Sequence, residues 1–204
     1  MIEKKELQSL NKKKLPIVTS SLIVINCIIF LIMLFTKVNW YAYGASGMLH
    51  LIENKEYYRV VTAIFMHGDI EHLFNNMLIL YCAGEIVEDS IGKLKFLGVY
   101  LFTGIGANLV SCSWEWISGN FFDTVGASGA IFGIVGVLLY LVLFHKGNTR
   151  QISKQRMLLM VVFSLYSGFV GENVNNIAHM SGLVLGFLVV YFVYLVNSIL
   201  INKE

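Results

Sequence analysis

The feature that most constrains this chain is a series of apolar runs that approach the length of a membrane-crossing helix. The chain has 204 residues, of which 56% are hydrophobic and 14% charged. Such a composition leaves too few polar side chains to cover a water-soluble surface. A helix needs about 20 apolar residues to cross roughly 30 Å of hydrocarbon. The runs that approach this length are 17–35, 72–87, 96–113, 128–144, 157–170 and 177–201.

These runs predict an all-α membrane protein, a six-transmembrane-helix bundle that occupies residues 17–201. The second and fifth runs fall short of about 20 residues, so the sequence defines their ends least well. Residues 1–16 and 202–204 are predicted to form an N-terminal and a C-terminal tail. The first run has the length of a full span and no A-x-A-like site follows it. We therefore expect this segment to be retained rather than cleaved.

The positions of the basic residues predict which side of the membrane each loop occupies, because lysine and arginine concentrate on the cytoplasmic side. Most of the 15 basic residues lie in the two tails and in the loops after the second and fourth runs. They are Lys4, Lys5, Lys12, Lys13, Lys14, Lys93, Lys95, Lys146, Arg150, Lys154, Arg156 and Lys203. Both termini are therefore expected to be cytoplasmic. The basic residues of these tails and loops explain the net charge of +2, so this charge gives no reason to expect a nucleic-acid partner.

With this orientation, the second, fourth and sixth runs begin on the extracellular side, and their starts hold His72, Ser128 and His179. Glycines at four-residue spacing follow both Ser128 and His179 and allow two helices to pack closely. The glycines around the pair are Gly126, Gly129, Gly133, Gly182 and Gly186. Because a serine hydroxyl is a weak nucleophile until a base takes its proton, this arrangement predicts a Ser-His catalytic dyad.

His72 and Asn76 are candidates for binding an oxyanion. Their i, i+4 spacing puts them on one helix face, and both side chains can donate hydrogen bonds. Donors aimed at the oxyanion of a tetrahedral intermediate are often the largest catalytic contribution. These two side chains and the Ser128 backbone N–H are predicted to bind it. Taken singly, each of these residues also fits a purely structural link between helices, but polar groups inside a membrane are costly and usually functional.

The tetrapeptide Gly-Ala-Ser-Gly occurs twice, and its first copy contains Ser46. The side of the membrane does not separate the two copies. Ser46 is followed by the polar stretch 53–56, whereas Ser128 opens an apolar helix with a glycine face, which favours Ser128 as the nucleophile. Neither copy matches G-x-S-x-G, since position 130 is alanine, so the sequence does not support a soluble hydrolase elbow.

The motifs Gly-Ala-Ser-Gly at Ser128, Ala-His-Met-Ser-Gly at His179 and the segment from His67 to Asn76 resemble the rhomboid family of intramembrane serine proteases. The resemblance runs from about residue 44 to residue 186. It implies that Ser128 and His179 form the dyad, that His72 and Asn76 help to bind the oxyanion, and that the substrates are transmembrane proteins.

The resemblance also implies structural roles for Arg59, His67 and Glu88. Tyr58 precedes Arg59 where the family commonly has tryptophan, and Asn175 stands four residues before His179 where aspartate is frequent. No carboxylate is placed to orient His179 as in a catalytic triad.

Three other interpretations remain, namely a metalloprotease, an inactive helix-binding protein and a transporter. A metalloprotease could gather His67, Asp69, His72 and His179 as ligands, but no H-E-x-x-H motif is present, so we expect no metal and no cofactor. The alternative to an enzyme is an inactive rhomboid-like protein that binds membrane helices, against which the intact dyad argues. A transporter would need charged residues at mid-membrane positions or an inverted repeat, and the sequence shows neither.

The expected partners are transmembrane substrates and membrane lipid, in a membrane that the composition suggests is bacterial.

Overall fold

The computed structural model describes residues 15–144, 153–169 and 174–201. Six long helices lie within these ranges, and we number them in chain order. They are α1 (Ile17–Phe35), α2 (Ile70–Ile91), α3 (Lys93–Ser118), α4 (Ser128–Phe144), α5 (Lys154–Phe169) and α6 (Asn176–Ile201). Short helical segments connect α1 to α2, at Tyr41–Gly44, Met48–Ile52, Arg59–Thr62 and Ala63–Phe65. The described residues form no strand, only an isolated bridge, so the all-α prediction is confirmed for them.

The apolar runs locate all six helices, but some ends differ where polar residues continue a helix. α1 and α4 have the predicted bounds. α2 continues through Glu88 and Asp89 to Ile91, and α3 already begins at Lys93. An apolar run ends at such charged residues, whereas a helix continues as long as its backbone hydrogen bonds are made. Several predicted features lie outside the described residues, namely most of the N-terminal tail, Lys146, Arg150, Val170 and residues 202–204.

Three of the helices are long and apolar enough to cross a membrane, α1, α3 and the Asn176–Leu195 part of α6. α4 is also apolar but has only 17 residues. These helices support a multi-pass membrane protein. The number of six spans and the side on which the termini lie stay predictions.

α4 lies at the centre of the bundle, in contact with α2, α3, α5 and α6. It is apolar around its whole circumference, as expected of a helix that is buried on every side. α1 is peripheral by comparison and packs mainly against α2. Apolar side chains on its other face, such as Val24 and Leu31, are about half exposed, and a membrane would cover them.

The closest contact between helices joins α4 to α6 through glycine. A side chain at Gly182 would strike the Gly129 carbonyl, and one at Gly186 would strike the Gly133 carbonyl. In the same seam, a side chain at Gly136 would strike the backbone of α6. The two glycine faces expected from the sequence therefore meet each other, and the helix backbones touch directly.

Arg59 organises the connection between α1 and α2. Its side chain is 2% exposed, and its guanidinium donates to the Glu56 carboxylate at 2.7 Å and to the Ala42 and Ala45 carbonyls at 2.6 and 3.1 Å. These carbonyls end short helical turns and have no partner in their own segment. A single cation thus holds together a stretch that has little regular structure.

Glu88 on α2 caps the start of α1. One carboxylate oxygen accepts from the Val18 N–H at 3.1 Å, and the other accepts from both the N–H and the hydroxyl of Thr19 at 2.8 Å. The first N–H groups of a helix have no intrahelical acceptor, and the positive end of its dipole favours an anion. A residue that is 70 positions away in sequence from Val18 therefore fixes where α1 begins against α2.

We expect Glu88→Ala to destabilise the protein by about 3 kcal/mol, because it leaves three buried or half-buried donors without an acceptor. Asp89→Ala is the matched control, since the neighbouring carboxylate is exposed and should matter little. Thermal unfolding of the purified protein in detergent measures both. Equal melting temperatures for Glu88→Ala and Asp89→Ala would show that the cap does not stabilise the bundle.

Candidate active site

Ser128 is the first residue of α4, and the chain reaches it through Gly126. The Gly126 N–H donates to the Ala63 carbonyl at 2.9 Å, and its φ is +135°, which residues with a side chain rarely adopt. A Cβ at this position would lie 2.8 Å from the His72 Nε2. The Ser128 Oγ lies 3.6 Å from the same point. The absence of a side chain at Gly126 thus leaves room for both the imidazole and the hydroxyl on this side of the turn.

The start of α2 positions His72 and Asn76. Asp69 is the N-cap, and its side chain accepts from the His72 N–H at 2.7 Å. Aspartate before an apolar run is a helix-start signal, so this cap was readable from the sequence. Asn76 follows one turn later, 5% exposed, and its Nδ2 has no hydrogen-bond partner among the described residues. A buried donor without a partner costs about 1–3 kcal/mol, so the site holds an amide that an incoming acceptor would satisfy.

His179 is held in place by α5 and α4. Its ring is buried, and its Nδ1 lies 2.9 Å from the Gly168 carbonyl of α5. The ring stacks on Phe132 of α4 with centroids 4.4 Å apart and planes within 9°, and Phe169 contacts it edge-on. Because a carbonyl oxygen can only accept, Nδ1 carries the proton in this bond. The neutral ring then has its lone pair on Nε2.

Phe132 also relates the ring to Ser128. It follows Ser128 by four residues, so the two side chains share one face of α4. The His179 ring therefore lies along the face of α4 that begins with the serine. Among the described residues, no hydrogen bond joins the Ser128 hydroxyl to the His179 ring. The structure thus places Ser128 and the His179 ring at the same contact between α4 and α6, without a hydrogen bond between them.

Asn175 lies just before α6, four residues before His179, at a position where aspartate is frequent in the family that the sequence resembles. Its Oδ1 accepts from the Ala178 N–H at 3.0 Å, and its Nδ2 donates to the hydroxyls of Ser111 and Thr124 at 2.7 and 3.0 Å. The amide uses both its acceptor and its donor end here, since the two hydroxyls can accept from it. Asn175 therefore ties the start of α6 to α3 and to the chain entering α4.

Ser46, the second candidate nucleophile, is 1% exposed. Its backbone forms both hydrogen bonds of the isolated bridge with Thr124, at 2.9 and 2.7 Å. Its hydroxyl lies 3.5 Å from the Cys112 Sγ on α3. These contacts describe a residue that joins two loops.

His67 is buried beside His72, with ring centroids 5.1 Å apart and planes at 68°. Burial lowers the pKa of His67 to about 3, and the neighbouring His72 adds to the shift. The ring is therefore neutral near pH 7. In the described ranges no three histidine, cysteine or carboxylate side chains are grouped so as to hold a metal ion, including the four residues of the metalloprotease reading.

Two contributors to the site were not found from the sequence, Phe132 and Gly168. The spacing of Phe132 from Ser128 was visible, but nothing in it indicates which ring it would stack on. Gly168 acts through its backbone carbonyl, for which a sequence has no signal.

A model of the Rhomboid domain matches residues 54–196, well over half of the chain. The chain belongs to the rhomboid family. All the residues of the candidate active site, apart from the alternative nucleophile Ser46, lie inside the matched range. The matched range includes the three motifs that carried the resemblance, namely those around Ser128 and His179 and the segment from His67 to Asn76.

Rhomboid proteins from bacteria are among the relatives. The chain is 34% identical over 137 residues to the putative rhomboid protease YdcA of Bacillus subtilis, which is 67% of each chain. It is 34% identical over 146 residues to the rhomboid protease GluP of the same organism, covering 72% of this chain but 28% of GluP. With the rhomboid protease AarA of Providencia stuartii it shares 30% identity over 172 residues, 74% of this chain and 60% of AarA. These rhomboid relatives support an intramembrane protease function.

Gly126→Ala is expected to destabilise the protein by roughly 1–3 kcal/mol, because alanine is strained at this φ and its Cβ would press on the His72 ring. Gly98→Ala is the control, since the added Cβ, in the second turn of α3, meets open space. The control should be neutral or slightly stabilising. Thermal unfolding in detergent compares the two, and an unchanged melting temperature for Gly126→Ala would contradict the expected strain.

The low pKa of His67 makes stability depend on pH. The unfolded chain has an ordinary histidine pKa near 6.5, so it binds more protons than the folded chain between about pH 3 and 6.5. This contribution to stability is complete above pH 6.5 and is lost as the pH falls towards 3. The melting temperature should therefore fall less between pH 7.5 and 4.5 in His67→Gln than in the wild type. Parallel falls in both proteins would show that His67 is not the group that titrates.

Proposed function

We propose that this rhomboid-family chain is an intramembrane serine endopeptidase in which Ser128 is the nucleophile and His179 the general base. Its substrates would be membrane proteins, cut in or near a transmembrane segment. The observation that carries the proposal is the bond between the His179 Nδ1 and the Gly168 carbonyl. This bond selects the tautomer whose Nε2 can take a proton from serine.

Among the described residues, a backbone carbonyl and not a carboxylate is bonded to the His179 ring. In a triad an aspartate accepts from Nδ1 and stabilises the imidazolium that forms. Here a neutral carbonyl accepts, and the stacked Phe132 ring restricts rotation of the imidazole. The tautomer and the orientation are then provided, while charge stabilisation of the imidazolium is weaker. A slow enzyme follows from this arrangement.

The proposed reaction passes through an acyl-enzyme. His179 takes the Ser128 proton as Oγ attacks the carbonyl carbon of the substrate, and a tetrahedral oxyanion forms. His179 then protonates the leaving amine, and water, activated by the same ring, releases the new carboxylate. In the described ranges the serine hydroxyl forms no hydrogen bond to the His179 ring, whose Nδ1 bonds the Gly168 carbonyl. A rotation about the Ser128 Cα–Cβ bond would direct the hydroxyl to His179, and catalytic hydrogen bonds often form only with substrate present.

The oxyanion would be bound by three donors at the start of α2 and α4. The Asn76 Nδ2 is a buried amide with no partner among the described residues, and both the His72 ring and the Ser128 hydroxyl lie within 4 Å of the point where a Gly126 side chain would begin. As the first residue of α4, Ser128 has a backbone N–H without an intrahelical acceptor, at the positive end of the helix dipole. Each donor is most useful where charge develops in the transition state.

We further propose that all six long helices span the membrane, with both termini cytoplasmic and the site towards the extracellular side. The exposed cations at the starts of α3 and α5 support this orientation, since they mark a cytoplasmic end. These cations are Lys93, Lys95, Lys154 and Arg156. Ser128 begins the next helix on the opposite end of the bundle. A bacterial plasma membrane fits the composition, and water would reach the site from outside the cell.

The test is cleavage of a fluorogenic transmembrane peptide by the full chain in liposomes. Ser128→Ala and His179→Ala should lose activity by at least about 1,000-fold, and Asn76→Ala by roughly 100-fold through kcat, as expected for one oxyanion donor. Ser46→Ala, which changes the other Gly-Ala-Ser-Gly copy, is the matched control and should stay active. Activity retained in Ser128→Ala would refute the mechanism. A wild type that binds such peptides but cuts none would favour an inactive helix-binding protein.

A further inference from the structure

A groove lies between α3 and α6 at the end of the bundle opposite to Ser128. Its volume is about 470 Å³, within the range of pockets that bind organic ligands. Val99 and Val190 are buried and form its floor, while Phe102 and Val193 are exposed on its sides. From His179 to Val193, α6 rises about 21 Å at 1.5 Å per residue. The groove is therefore separate from the candidate active site.

The groove changes from apolar to polar along its length. Phe102 lies towards the middle of the bundle, and Lys95 lies two turns earlier on α3, at the end of the helix. Ser90 and Tyr194 line the same end as Lys95. Of the described residues that line the groove, Lys95 alone is charged. A ligand that fits would have an anionic group at one end and a hydrocarbon chain at the other.

We propose that this groove binds one anionic phospholipid, with an acyl chain between α3 and α6 and the phosphate at Lys95. The charge of the occupant follows from Lys95, because none of the described residues that line the groove is a carboxylate. Basic pockets between transmembrane helices on the cytoplasmic side are suited to anionic headgroups. The first turn of α3 also contains no acidic residue that would repel a phosphate.

A neighbouring depression of about 490 Å³ does not suit such a ligand. It is lined by Glu85, Glu88 and Asp89 as well as Lys93 and Lys95, so three acidic residues surround its two cations. Lys95 thus borders both the depression and the groove. Lys93 does not line the groove between α3 and α6. The two lysines of one helical turn are therefore a matched pair, of which only Lys95 serves the proposed site.

Gly98 gives a way to close the groove without disturbing the protein. It lines the groove, and a Cβ placed on it meets no atom within 4 Å. Its backbone is helical, so a larger side chain is not strained there. Gly98→Phe should occupy the space of the acyl chain. Leu109→Phe on the exposed surface of the other half of α3 is its control.

The experiment counts lipids bound to the purified full chain by native mass spectrometry, which does not require the protein to be an active protease. The probes are phosphatidylglycerol and phosphatidylcholine with the same acyl chains, and glycerophosphate as a headgroup without chains. The wild type should bind one phosphatidylglycerol about fivefold more tightly than phosphatidylcholine, as expected for one basic residue at a membrane surface. Glycerophosphate should not compete.

Lys95→Gln should abolish the preference for phosphatidylglycerol while Lys93→Gln keeps it. Gly98→Phe should lose the tightly bound lipid while Leu109→Phe retains it, and a melting temperature near that of the wild type verifies that each variant is folded. Equal losses in the two lysine variants, tight lipid binding by Gly98→Phe, or competition by glycerophosphate would each overturn the proposal. Lipid binding without proteolysis would leave it intact while refuting the proposed enzyme.

Discussion

The backbone contact between α4 and α6 is the constraint on which the site depends. Gly129 and Gly133 meet Gly182 and Gly186 so closely that a side chain at Gly182 or Gly186 would strike a carbonyl of α4. Ser128 directly precedes the first of these glycines, and His179 lies one turn before Gly182. The distance between the helix axes therefore sets how far the imidazole stands from the start of α4. A larger residue in this seam would separate the two helices and so move the His179 ring away from the start of α4.

Polar groups at the helix ends are joined by residues from distant parts of the chain. Glu88 serves the first turn of α1, Arg59 collects the carbonyls of the connection after it, and Asn175 links α6 to two hydroxyls. A backbone group that faces hydrocarbon without a partner is very costly, so loops at a membrane need such internal acceptors and donors. These links explain how segments with little regular structure can hold His67 and Gly126 next to the helix starts.

Sequence reasoning was most successful where composition alone decides the structure. Apolar runs located every long helix, and glycine spacing predicted the seam between α4 and α6. It was less successful at the ends of α2 and α3, because charged residues continue those helices beyond the apolar part. The cap that Glu88 provides joins residues that are far apart in sequence, and the positive φ of Gly126 is visible only in three dimensions. The catalytic roles of Ser128 and His179 stay predictions, as do those of His72 and Asn76.

The acceptor that orients His179 is a main-chain oxygen on α5, and this has a consequence for how such a protein varies. No exchange of one side chain for another can delete a carbonyl, and a carbonyl does not titrate in water. Substitutions of most residues would therefore leave this acceptor chemically intact. Gly168 itself is the exception, because a side chain there would strike the Phe132 ring that stacks on His179. The oxygen is thus protected by the need for glycine at its own position, and not by any chemistry of a side chain.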